Sequence, residues 1–116
     1  METNNMTRFR GMLGFAMRAG KVIIGADQIV AALPQKRKDD VKLVLLSSSA
    51  SDGTKRRMTN KCEFYGKKLI QIDIDTEELG RLLGKLYAPV VLAITDERFA
   101  DEISRALDVH NLESDD

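Results

Sequence analysis

Catalysis near neutral pH needs titratable, nucleophilic or metal-ligating groups in company, and this chain of 116 residues supplies few. Its one histidine is His110 and its one cysteine is Cys62, neither with a partner at a metal-ligand spacing. His110 belongs beside an acidic tail and is expected on the surface. Cys62 falls on the apolar side of a helix and is expected in the core. A single cysteine excludes an internal disulfide and fits a reducing compartment. No serine has a histidine base nearby in sequence. Asp73, Asp75, Glu77 and Glu78 suit a loop and a helix cap, and Asp96-Glu97 a helix start. Neither the lysine-bearing phosphate loop nor the three-glycine dinucleotide signature occurs. No cofactor and no metal are expected.

Anion binding is the chemistry left. Ser47-Ser48-Ser49-Ala50-Ser51-Asp52-Gly53-Thr54 runs from a strand end into a helix start, where backbone N–H groups and hydroxyls could meet a phosphate or could simply cap the helix. Basic residues cluster three times: Arg8, Arg10, Arg18 and Lys21 around the first helix, Lys36-Arg37-Lys38 in a loop, and Lys55-Arg56-Arg57 with Lys61 on a later helix. Net charge is zero, yet residues 1–67 hold 13 basic and 6 acidic side chains, while 68–116 hold 5 and 12. That asymmetry either scatters on folding or gives the molecule one side suited to a polyanion. The four Phe and two Tyr fall mostly on apolar stripes, so a base-stacking platform is not expected.

The most informative turn is Arg18-Ala19-Gly20-Lys21-Val22-Ile23-Ile24-Gly25-Ala26-Asp27-Gln28. It is a helix end, a tight turn, a short strand and a glycine that opens another helix. Gly25 permits close backbone approach. Asp27 and Gln28 then project from a first helical turn, where short polar side chains read base edges beside phosphate-binding amides. A plain helix start explains the same residues without a ligand.

Five helices and four strands must position these groups. Phe9, Met12, Leu13 and Ala16 make the inner stripe of a helix over 6–18, stopped by Gly20. Val22-Ile23-Ile24 is a short strand, free to lie antiparallel at an edge. Ala26, Ile29, Val30 and Leu33 mark a helix over 26–33, ended by Pro34. A second strand covers 41–46. Ser51 or Asp52 caps a helix over 52–65, which Gly66 ends. Lys68–Ile72 is the third strand. Asp75 with Glu78 forms a capping box before a leucine-rich helix. The last strand runs from Pro89 to Ile94, and Thr95 caps the final helix. Alternation of this kind predicts an α/β protein, a three-layer αβα sandwich around a four-stranded mixed sheet. The last three strands are expected to be parallel. One domain over 1–116 is expected, its ordered core at about 6–108 and an acidic tail at 109–116. No apolar run is long enough to span a membrane, and no secretory signal opens the chain, so a cytoplasmic protein is expected.

Further stretches carry a resemblance: Leu13-Gly14-Phe15-Ala16-Met17-Arg18-Ala19-Gly20-Lys21; Val44-Leu45-Leu46 leading to Ala50-Ser51; Thr59-Asn60-Lys61-Cys62-Glu63-Phe64-Tyr65; Glu78-Leu79-Gly80 with Leu83-Gly84-Lys85; and Val91-Leu92-Ala93-Ile94-Thr95-Asp96. Over residues 7–107 the chain resembles the ribosomal protein L-seven-Ae / L-thirty-e family, and within it the small bacterial ribosomal-protein-like members. The resemblance implies an αβα sandwich that binds kink-turn RNA, a sharply bent internal loop with sheared G·A pairs. The family's glycine falls on Gly25. Its Asn-Glu pair, which meets the guanines, falls on Asp27 and Gln28. A basic residue three positions later falls on Ala31. The loop Leu86-Tyr87-Ala88-Pro89 lacks the family's apolar cover for the RNA bend.

The resulting expectation is a non-enzymatic RNA-binding protein for ribosomal or other structured RNA, with the ribosome itself a candidate partner. Gly25 admits the bend, Asp27 and Gln28 read bases, and Arg18, Lys21 and Lys85 hold phosphates. No small-molecule substrate is expected. The rival is a protein–protein module of the translation apparatus that docks through its acidic half. A small enzyme built on the Ser47–Thr54 junction ranks third.

Overall fold

Side-chain parity decides where the core goes. β2 (Leu43–Ser47) is buried throughout. Leu43 and Leu45 point into one apolar cluster, Val44 and Leu46 into a second on the other face. β4 (Val91–Ile94) repeats the division, with Leu92 and Ile94 on the first face and Val91 and Ala93 on the second. These two strands form the middle of a four-stranded sheet ordered β1 (Val22–Ile24), β4, β2, β3 (Lys68–Ile72). The computed structural model describes residues 3–84 and 89–114.

Helices cover both faces. Phe9, Leu13 and Ala16 of α1 (Thr3–Arg18), Leu79 and Leu83 of α4 (Thr76–Leu83), and Ile103, Ala106 and Leu107 of α5 (Glu97–Ser114) fill the first cluster. Ile29 of α2 (Ala26–Ala32), with Leu33 just beyond it, and Met58 and Cys62 of α3 (Asp52–Tyr65) fill the second. The molecule is the expected αβα sandwich around a mixed sheet. Each fully buried Leu or Ile contributes roughly 1.5–3 kcal/mol of transfer free energy.

Strand direction departs from expectation. β3 is parallel to β2, but β4 is antiparallel to both β2 and β1. Alternating helices and strands fix layers, not strand sense. The chain enters β4 at the end of the sheet where β2 and β3 finish: Ser47 N donates to the Val90 carbonyl at 2.8 Å and Ser48 N to that of Ile72 at 2.9 Å. From that end β4 has to run back, and it separates β1 from β2. β1 is the antiparallel edge strand, as expected.

Several boundaries differ as well. β2 begins two residues later than expected and β4 starts at Val91, not Pro89. Helical backbone begins at Thr3 and reaches Ser114, into the acidic tail. Thr95 does not cap α5. Its backbone continues the sheet by donating to the Lys21 carbonyl at 2.9 Å, and Asp96 Oδ1 accepts from Phe99 N at 3.0 Å in its place. Asp75 caps α4 through Glu78 N at 2.8 Å. The Glu78 carboxylate accepts from Arg10 at 2.8 Å, which spends the other half of the anticipated box on joining α4 to α1.

Folding mixes much of the charge asymmetry of the sequence, because the basic α1 packs in one layer with the acidic α4 and α5. α3 carries Lys55, Arg56, Arg57 and Lys61 on the α2/α3 face. The acidic helices α4 and α5 lie on the opposite face, beside the basic α1.

One ionic cluster joins the segments around β2. The Asp40 carboxylate accepts from Lys42 and, at 3.1 Å, from Lys67. The Lys42 hydrogen bond and then that of Lys67 hold the Asp40 carboxyl below the usual carboxylate range. A depressed carboxyl stabilises the fold above its unfolded pKa of about 3.9, and that contribution is lost as pH falls through the lower folded value. Asp40→Asn is expected to lower Tm near neutrality, with the gap between wild type and variant in thermal melts closing as pH falls through the lowered folded value.

Candidate nucleic-acid interface

The carboxyl ends of β1, β2 and β3 meet the amino end of β4 at one end of the sheet. Gly25 stands there, at the exit of β1. Its backbone has φ 104° and ψ 138°, a region that side chains of L residues rarely adopt. Gly25 N donates to the Val91 carbonyl at 3.2 Å and its own carbonyl accepts from Ile29 N at 3.0 Å, so one residue ends the strand and opens α2. No side chain caps this helix start. A Cβ built on Gly25 would have no atom within 4 Å. The approach to its backbone is open.

Asp27 and Gln28 project into solvent from the first turn of α2. Asp27 is not alone. Arg57 Nη1 of α3 donates to its Oδ1 at 2.8 Å, in a pair whose Asp27 side chain is 87% exposed. An exposed pair of this kind contributes little to stability. Its consequence is local charge: a guanidinium with spare donors offsets the Asp27 carboxylate at the start of α2.

Arg18 and Lys21 lie elsewhere. They precede β1, whereas Gly25 follows it, and four strand steps cover about 13 Å. Arg18 stacks over the Phe15 ring, 4.9 Å from its centroid. Lys21 lines a groove at the opposite end of the sheet with Lys38, Lys42, Thr95 and Arg98, and with the carboxylates Asp39, Asp96 and Glu97. The structure therefore brings Gly25, Asp27 and Gln28 together and sets Arg18 and Lys21 apart from them. Lys85 and the loop residues Leu86, Tyr87 and Ala88 lie outside the described residues.

The Ser47 and Ser51 hydroxyls of the Ser47–Thr54 junction are engaged within the protein. Ser47 Oγ donates to the Ile74 carbonyl at 2.7 Å and accepts from Ser49 N at 3.1 Å. Ser51 Oγ caps α3 by accepting from Thr54 N at 3.2 Å. Cys62 is buried, and burial pushes its thiol pKa up, away from the reactive thiolate. Among the described residues no group of three His, Cys, Asp or Glu side chains could hold a metal ion. No described helix is long and apolar enough to cross a membrane.

Residues 7–104 match the ribosomal protein L7Ae/L30e/S12e/Gadd45 family. The chain belongs to that family. It is 38% identical over 97 residues to the RNA-binding protein YlxQ of Bacillus subtilis (strain 168), covering 84% of this chain and 92% of that protein. It is 27% identical over 108 residues to the RNA-binding protein YlxQ of Enterococcus faecium, covering 93% and 99%. Among solved structures, a Bacillus halodurans protein of unknown function superposes with a TM-score of 0.77 at 31% identity, over 87% of this chain and 97% of that one. A Giardia lamblia 15.5kD RNA binding protein shares the fold, with a TM-score of 0.71 at 13% identity over 94% and 89%.

The side chains around Gly25 limit what the corner can offer a ligand. Asp27 accepts but cannot donate, and Gln28 donates and accepts without a charge. Ala31, one turn on, supplies no cation. Arg57 supplies one from the neighbouring helix. Sequence reasoning found the basic run Lys55-Arg56-Arg57 but not its place, because the pairing joins residues 30 apart in the chain. The one advance signal was an acidic residue at a position expected to face RNA, which needs a cation nearby.

Proposed function

We propose that the protein binds structured RNA of the kink-turn type, as a non-enzymatic partner of ribosomal or other translation-linked RNA. Family membership supports RNA binding, as does its likeness to the RNA-binding YlxQ proteins. The observation that carries the finer reading is Gly25: a positive φ, an uncapped helix start and open space over its Cα, beside the exposed Asp27–Arg57 pair and Gln28. The bend meets the Gly25 backbone. Gln28 and the Asp27–Arg57 pair meet base edges and the nearest phosphate. Lys21, about 13 Å away along β1, and Arg18 at the end of α1 hold phosphates of the flanking stem, and Lys85 is assigned the same role. The protein then selects the bent RNA from its ensemble by binding it better than the extended form.

Gel shifts against a kink-turn RNA and a straight duplex at one stated salt concentration test this. Tighter binding of the bent RNA is expected, with the preference reduced by Gln28→Ala. Lys21→Ala is expected to weaken both RNAs alike and to reduce the salt slope by about one. Equal affinity for both RNAs, unchanged by Gln28→Ala, would leave only charge attraction. Protein partners without RNA in gently purified material would favour the docking-module reading.

A further inference from the structure

Phe64 is 79% exposed, the most exposed large apolar side chain among the described residues. It is an exception to the expectation that the aromatic residues fall mostly on apolar stripes. Its ring stands at 87° to that of Tyr65, with centroids 4.9 Å apart, in an edge-to-face contact that helps fix its orientation. A single exposed Phe needs no explanation by itself. Its position on α3 gives it one.

Met58 and Cys62 mark the buried side of α3. Arg57, Asn60, Lys61 and Phe64 follow i, i+3, i+4, i+7 along one exposed flank. The Arg57–Asp27 contact shows that this flank is the one turned toward α2. Lys61 stands four residues, about 6 Å, beyond Arg57, and Phe64 about 10 Å beyond it. Two cations, an amide and an aromatic ring therefore lead away from the Gly25–Gln28 corner in a line. One turn past Asp27, α2 carries the small Ala31.

We infer that this strip is a second RNA-contact surface, which takes an unpaired strand leaving the bend: phosphates at Arg57 and Lys61, and one base stacked on Phe64. The inference rests on the RNA-binding reading above and extends it to a different part of the ligand. Cations along a helix flank favour a polyanion over a neutral protein groove. An aromatic face accepts any base, and Asn60 offers an amide to its edge.

The test uses the full chain and two kink-turn RNAs, one blunt and one with a short unpaired extension bearing 2-aminopurine. The extension is expected to tighten binding and to quench 2-aminopurine fluorescence. Phe64→Ala should remove the quench and weaken the extended RNA about five- to a hundredfold, leaving the blunt RNA and Tm unchanged. Phe64→Trp should restore both, and Lys61→Ala should weaken the extended RNA alone. Equal binding of the two RNAs, or an extended complex insensitive to Phe64→Ala, overturns this surface while the corner reading stands. Failure to bind either RNA overturns both. A wild-type dimer that Phe64→Ala dissolves, with RNA affinity untouched, assigns the ring to a protein contact and also overturns it.

Discussion

Gly25→Val is expected to remove the preference for bent RNA and to destabilise the fold at the same time. At φ 104° any L side chain is strained, at a cost of about 1–3 kcal/mol. Its methyl groups would also enter the open space over the backbone. If RNA occupies that space, affinity for a kink-turn falls by about ten- to a hundredfold, the worth of one good base contact of about 1–3 kcal/mol. Gly66→Ala is the control. Gly66 has φ 67° and equally open surroundings, but it closes α3 at the other end of that helix. It should lower Tm through the same kind of strain and leave the ratio of bent to straight affinity where it was. Paired melts and titrations separate strain from occlusion.

The second large effect is a gain. Asp27→Asn with Gln28→Glu restores the Asn-Glu pair that the resemblance places at this corner. Asparagine adds a donor that Asp27 lacks, and glutamate strengthens acceptance from guanine N–H groups. Kink-turn affinity is expected to rise about tenfold or more, and affinity for straight duplex to change little. Arg57 gives the gain an internal check. In the wild type it neutralises Asp27, so Arg57→Ala should weaken RNA binding sharply by exposing a carboxylate to phosphate. In the double variant its loss removes only a cation and should cost less. Such non-additivity is the expected signature of side chains in direct contact. Additive effects would place Arg57 outside the interface.

Local chemistry made much of the fold legible. Val22–Ile24, Asp52–Tyr65 and Lys68–Ile72 were bounded correctly because residues with strong local preferences frame them: Gly25 after β1, Ser51 before α3 and Gly66 after it. The caps at Ser51 and Asp75 follow from short polar side chains three residues before an unpaired N–H. Strand sense was not legible. Val91–Ile94 is buried on both faces, and a continuous apolar run reads the same in either direction. The glycine at the corner could be recognised, since only a special backbone needs it. Its neighbour Arg57 could not, because a contact between α2 and α3 exists only once both helices lie on the sheet. Phe64 was missed for a related reason. Met58, Cys62 and Tyr65 mark the inner stripe of α3 and leave Phe64 off it, but what lies beside that flank depends on how α2 and α3 pack.

The central claim is that RNA meets the protein at the Gly25–Gln28 corner. Amide chemical-shift mapping during titration with an unlabelled kink-turn RNA tests it most directly. The largest changes are predicted at the backbone N–H groups of Gly25, Ala26, Asp27 and Gln28 and at the Arg57 side chain, with smaller ones at Arg18 and Lys21. Unmoved signals at these amides, with the changes gathered on α4 and α5, would contradict it.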